Sequence, residues 1–221
     1  MILGSNMEGY YQQVRGLQYY YITKGHGKQD VIFLHGFLGS HAIFLEGLLE
    51  TDLVDTHRLI LMDLLGHGAT EGAELHYRFS AKEQVADLAY FITHHCQKPV
   101  ILCGYSMGAR LALSLAIQHP NLCRGLVLES GHFGICTETE RQSRQSLDAQ
   151  RADQIKSDYS SFLRYWEDIS LFNSPNARML NSAYRDIQKT QQPIWITNSL
   201  LGFGAGTMPC LENRLTRLRM P

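Results

Sequence analysis

The sequence predicts an α/β fold: a mostly parallel sheet flanked by helices, with a helical cap over one end. Three observations point to it. The short runs VIFL, LILM, VILC and LVLE are apolar at every position instead of alternating, as in strands covered on both faces. Segments of helical period separate these runs. Finally, in VILCGYSMGARLALSLA (100–116) a serine between two glycines marks the change from an apolar strand to an apolar helix.

The elements follow in order. LQYYYI and VIFLHG have the β-branched and aromatic content of strands, LEGLLE reads as a helix, and HRLILMD as another strand. Between Ser80 and His95, Val85, Leu88, Ala89 and Ile92 share one helical face, with Ser80 as N-cap and Glu83 completing a capping box. VILCG and its helix come next, followed by the strand around LVLE. From Thr137 to Asp168 the composition turns charged and glutamine-rich with only intermittent apolar residues, predicting a helical insertion over the sheet. The organisation predicted is a core over 1–134, a cap over 135–200 and a return to the core over 201–221. With 221 residues and 44% hydrophobic content, one such domain buries about 70% of its unfolded surface.

Composition narrows the function. Twenty Lys and Arg stand against 21 Asp and Glu, with no basic stripe to meet nucleic acid or an anionic membrane. The five cysteines, Cys96, Cys103, Cys123, Cys136 and Cys210, form no CxxC pair and no zinc spacing, and read as reduced thiols of a cytoplasmic protein. No run approaches the 18 or so apolar residues of a membrane span, and MILGSNMEGYYQQ lacks the pattern of a signal peptide. No metal cluster is evident and no oligomeric state is specified.

Gly104-Tyr105-Ser106-Met107-Gly108 is GxSxG between strand and helix, the context of a nucleophile elbow. A strand turning into a helix within one residue strains that residue. Glycines two before and two after it remove side chains that would collide. Ser106 is then presented above the sheet, with the Met107 amide at the helix start aimed at negative charge developing nearby. The loop His35-Gly36-Phe37-Leu38-Gly39 supplies a second oxyanion donor, the Phe37 amide. Strand, helix and HG loop together distinguish this serine from one in an ordinary βα turn.

With HGFLGS, DLLGHG, GYSMGAR and LVLES in that order, the chain resembles the α/β-hydrolase superfamily. Through GYSMGAR, LESGHFGI, TERQSR, YWEDISLF and GFGAGTMPCL it resembles, within that superfamily, the 2-succinyl-6-hydroxy-2,4-cyclohexadiene-1-carboxylate synthases of menaquinone biosynthesis. This resemblance implies a lyase without metal or organic cofactor, in which an activated serine removes a proton and pyruvate is eliminated. The implied substrate is small and bears succinyl and pyruvyl carboxylates. Arg110, four residues after Ser106 and one turn down the same helix, suits such a ligand, since arginine pairs with carboxylates bidentately. The resemblance makes Arg144 a cap arginine and Trp166 a pocket aromatic, with Arg141 and Tyr105 as further candidates. Where the family has another cap arginine, this chain has Gln188 beside Lys189.

In the superfamily the catalytic acid follows a late strand and the histidine comes near the C-terminus. Here all ten histidines lie between His26 and His132, and the sequence ends at LTRLRMP. The expectation is a chain truncated before the acid-bearing strand, its last strands and helix missing, with no residue to nominate as triad histidine or aspartate. Asp63 of DLLGHG follows an early strand and reads as loop structure. Three functions stay open: a lyase in incomplete form, a carboxylester hydrolase of the same fold, or a noncatalytic remnant.

Overall fold

The structure, a computed structural model, describes residues 8–49, 51–169 and 177–221. Part of the YWEDISLF motif, from Ser170 onward, and the first seven residues lie outside them. The sheet has six strands in the order β1-β2-β4-β3-β5-β6. β1 (Glu8–Val14) and β2 (Leu17–Lys24) form an antiparallel hairpin. Its turn residues, Arg15 and Gly16, both have positive φ, 46° and 86°. β2 runs antiparallel to β4 (His57–Met62), which is parallel to β3 (Gln29–Leu34). β5 (Val100–Tyr105) and β6 (Cys123–Glu129) continue the parallel set. The sequence reading misses β1, because the segment EGYYQQV shows its apolar side only against β2, where Tyr10 stacks on Tyr21 and Tyr11 tilts against Tyr20.

β6 corrects one expectation. Its LVLE run reads as a strand covered on both faces, yet Val127 is 56% and Leu128 40% exposed. The cause is position: β6 is the edge of the described sheet, and on its outer side the Leu126 amide donates to the Pro221 carbonyl at 2.9 Å.

Two short helices, α1 (Leu45–Leu49) and α2 (Leu53–Thr56), link β3 to β4. α3 (Ala81–His95) buries the predicted Val85, Leu88, Ala89 and Ile92. Its Ser80 hydroxyl accepts from the Glu83 amide at 3.4 Å, but the reciprocal half of the predicted capping box is not made. The Ser80 amide already donates to the Tyr77 carbonyl, and the Glu83 carboxylate pairs with Arg15 at 2.8 Å. α4 (Met107–Gln118) is buried at every position but its last, as a helix packed against the middle of a sheet must be.

Beyond β6 come α5 (Glu138–Ser157), α6 (Tyr159–Asp168), α7 (Ala177–Thr190) and α8 (Pro193–Phe203). Ala152, Ile155, Phe162, Leu163, Ile196 and Leu200 form a small core of their own over Leu38. α8 joins this core to the main one: Leu200 belongs to the first and Phe203 to the second, where Met208 and Leu211 of the following segment also pack. No helix among the described residues is long and apolar enough to cross a membrane.

The cysteine expectation is also corrected. Cys136 and Cys210 form a disulfide across a sequence separation of 74, with Cα atoms 5.0 Å apart. Sequence spacing alone does not reveal the pair, because the fold creates the contact: the Leu211 amide donates to the Phe133 carbonyl at 2.7 Å, and Gly134, at φ 103°, lies so close to Pro209 and Cys210 that a Cβ would collide with both. Cys96, Cys103 and Cys123 are free, and burial raises their thiol pKa values to about 12, 11 and 12.

Two buried histidines brace the loops beside the future site. His35 Nε2 accepts from the Leu64 amide at 3.0 Å, so Nδ1 carries the proton and donates to the Gly36 carbonyl at 2.7 Å. His67 Nδ1 donates to the Leu65 carbonyl at 3.0 Å. Burial above all, then the neighbouring His35, lowers the His67 pKa to about 3. Between that value and the ordinary 6.5 the unfolded chain binds more protons than the folded one, so stability falls as pH falls through this window. Urea denaturation at pH 6.5 and 4.5 is expected to differ by about 2–3 kcal/mol through His67, and His67→Asn should flatten the dependence. An unchanged slope in that variant would rule out His67 as its source.

Candidate active site

Ser106 has φ 51° and ψ −106°, a region that non-glycine residues occupy only when their surroundings enforce it. Its amide donates to the Glu129 carbonyl at 2.8 Å, and its carbonyl accepts from the Arg110 amide at 3.2 Å. The flanking glycines are required sterically. A Cβ on Gly104 would stand 2.5 Å from the Ala109 Cα, and one on Gly108 would collide with the Leu34 carbonyl. Gly36 allows the HG loop the same closeness, since its Cβ would meet the Tyr105 ring at 3.0 Å and the Ser106 Cβ at 3.3 Å.

Ser106, Met107 and Phe37 line one cavity of about 290 Å³ between the elbow and the cap. The Gly39 amide and His35 Nδ1 both donate to the Gly36 carbonyl, which fixes the loop carrying Phe37. Among the described residues no hydrogen bond occupies the Phe37 or Met107 amide. The two amides therefore have the bonding capacity that an oxyanion site needs, and Met107 opens a 12-residue helix whose dipole favours negative charge there.

The cavity is cationic. Among its 15 lining residues are three arginines, Arg110, Arg144 and Arg151, and no acid. Arg110, only 7% exposed, donates to the Phe203 carbonyl at 3.0 Å and lies over the Phe203 ring. Burial first, and then Arg144, lowers its pKa to about 10, so it stays charged at neutral pH. Arg144 Nε donates to Asp148 Oδ1 at 2.8 Å. Trp166 lies edge-on to Phe37, with ring centroids 5.4 Å apart, and under the Arg151 guanidinium.

Other candidates fall elsewhere. Tyr105 packs over Gly36 and is not among the lining residues. Arg141 also lies outside the lining and reaches Glu138 at 3.9 Å. Gln188 is buried inside the cap, its carbonyl accepting from the Tyr159 hydroxyl, and Lys189 pairs with Asp186. Asp63 is fully buried under the DLLGHG loop, as a structural acid is. Sequence reasoning overlooks two ionisable lining residues, Arg151 and His132. The spacing of Arg144, Asp148 and Arg151 on one helical face is the signal for the first. His132 Nδ1 accepts from the Gly134 amide at 3.0 Å, and burial, then Arg110 and Arg144, lowers its pKa.

A sequence model described as alpha/beta hydrolase fold matches residues 31–171. The chain belongs to the α/β-hydrolase family. A Bacillus subtilis (strain 168) protein, provisionally named 2-succinyl-6-hydroxy-2,4-cyclohexadiene-1-carboxylate synthase, is 37% identical over 210 residues, which is 93% of this chain and 76% of that relative. An Enterobacter sp. (strain 638) protein of the same name is 33% identical over 57% of this chain and 46% of its own length. Among solved structures, MenH from S. aureus superposes with a TM-score of 0.78 at 27% identity, covering 91% of this chain and 77% of that one. An esterase from Exiguobacterium antarcticum, at 20% identity and a TM-score of 0.77, covers 96% of this chain and 78% of its own, and shares the fold alone.

Proposed function

We propose that the chain is built for the lyase reaction its relatives' name describes, eliminating pyruvate from a succinylated cyclohexene carboxylate to leave the cyclohexadiene. In this reading Ser106, once activated, takes a ring proton. The C–H electron pair becomes the new ring double bond, the ring C–O bond breaks with its pair leaving on the oxygen as the enolate of pyruvate, and that enolate takes up a proton to become pyruvate. The Phe37 and Met107 amides hold negative charge as it develops, and Arg110, Arg144 and Trp166 bind the substrate. No step requires a metal or organic cofactor.

The observation that carries the reading is the set of arginines beside Ser106 with no acid among the described lining residues. A hydrolase of simple esters has no use for buried guanidinium groups, whose desolvation is unfavourable unless an anion meets them. Calorimetric titration with the product, 2-succinyl-6-hydroxy-2,4-cyclohexadiene-1-carboxylate, tests it. Arg110→Met is expected to weaken binding by about 10- to 100-fold, the worth of a charged hydrogen-bonded pair, with folding checked by thermal melting. Product affinity indifferent to Arg110, with tighter binding of a neutral alkyl ester, would favour the carboxylester hydrolase.

A further inference from the structure

We propose, resting on the carboxylate-ligand function above, that Arg151 is a specificity residue of the Ser106 pocket. With Arg110 it holds the second carboxylate of one dicarboxylate ligand. The argument begins with a census of charge. Arg110, Arg144 and Arg151 line the cavity, and the carboxylate that approaches them is Asp148. Asp148 is committed to Arg144, with Nε to Oδ1 at 2.8 Å, whereas Arg151 Nη1 stays 3.7 Å from the same oxygen, beyond hydrogen-bond length. Among the described residues Arg110 meets the Phe203 carbonyl and ring and the Met208 thioether, and no carboxylate at hydrogen-bond distance. Among the described residues one carboxylate therefore faces three guanidinium groups, and a ligand with two carboxylates restores neutrality.

Arg151 is prepared for that role. Its side chain is 12% exposed, and among the described residues its Nε has no hydrogen-bond partner. The guanidinium lies over the Trp166 ring, 5.2 Å from its centroid, which fixes the plane of the fork while leaving N–H groups for a planar acceptor. Arg144 and Arg151 are seven residues apart on α5, two turns or about 10.5 Å of rise, so they present separate positions along one helical face. His132, the other titratable lining group among the described residues, is shifted toward its neutral form by burial first and then by Arg110 and Arg144, and does not compete as a cation.

The test uses succinate and butyrate, acids of equal carbon number with two carboxylates and one. Binding to the 221-residue chain is read by calorimetry and by tryptophan fluorescence, since Trp166 lies against Arg151. The wild-type chain is expected to bind succinate at least about tenfold tighter than butyrate. Arg151→Met should bring that ratio close to one, by weakening succinate more than butyrate. Arg151→Lys, which keeps the charge and loses the fork, should give an intermediate ratio and serves if the Met variant does not fold. A ratio unchanged in a folded variant, or no succinate preference in the wild-type chain, overturns the inference. If the cyclohexadiene product still binds in an Arg110-dependent way, the proposed function survives that failure; if it does not, both fall.

Discussion

The chain is expected to release pyruvate at least about a thousandfold more slowly than the relatives it resembles, the scale of loss when a serine lacks an oriented general base. A serine hydroxyl is a weak base near neutral pH until an imidazole, itself oriented by an acid, takes its proton. Among the described residues His132 is the histidine that lines the cavity, and no carboxylate lines it. Its Nδ1 accepts from the Gly134 amide, where a triad imidazole would donate to its acid. Accepting the Ser106 proton would also place a further positive charge beside Arg110 and Arg144, whose field already lowers the His132 pKa. Ser106→Ala should therefore change the residual rate by no more than a few-fold. A pyruvate-release assay giving the relatives' rate, lost in both Ser106→Ala and His132→Gln, would show that His132 serves as the base.

The elbow was legible because its constraints are local. Two glycines, a serine and the change from strand to helix lie within a few residues, and the φ of 51° at Ser106 is what that arrangement requires. The parallel strands were legible for a similar reason, since burial on both faces is written into each run, except at β6, whose exposure depends on what lies beside it. The cavity wall was legible only in part. Arg110 follows from helical spacing to Ser106, but Arg151 becomes a lining residue only when α5 crosses the elbow, and only the fold brings Cys136 to Cys210. Tyr105, open in the sequence between lining the pocket and only packing, is turned by alternation along β5 so that its ring lies against Gly36. The capping box fails because Arg15, 68 residues away, competes for Glu83.

Asp63→Ala is expected to remove about 3–5 kcal/mol of stability, a large share of the 5–15 kcal/mol typical of a folded domain, without altering the chemistry of molecules that remain folded. Asp63 is fully buried, and its Oδ1 accepts from the His41 amide at 2.6 Å and from His41 Nδ1 at 2.8 Å. Oδ2 accepts from the Ala69 amide at 2.8 Å, and the backbone carbonyl accepts from the Thr70 hydroxyl. Burial alone would raise this carboxyl's pKa. The His41 hydrogen bond, the electrostatic influence of the His35 and His41 rings and the Ala69 amide outweigh it and hold the pKa below its ordinary value. A carboxylate lowered in this way stabilises the fold above the ordinary carboxylate range, and that stability is lost as pH falls through the folded pKa. Truncation to alanine leaves the His41 and Ala69 amides buried without an acceptor and frees the loops that brace the HG segment. Asn at this position, keeping the shape and one acceptor oxygen, should lose less. Urea denaturation measures the cost, and product titration on the folded fraction separates it from function. A stable Asp63→Ala chain, within about 1 kcal/mol of wild type, that had lost product binding would instead make Asp63 part of the site.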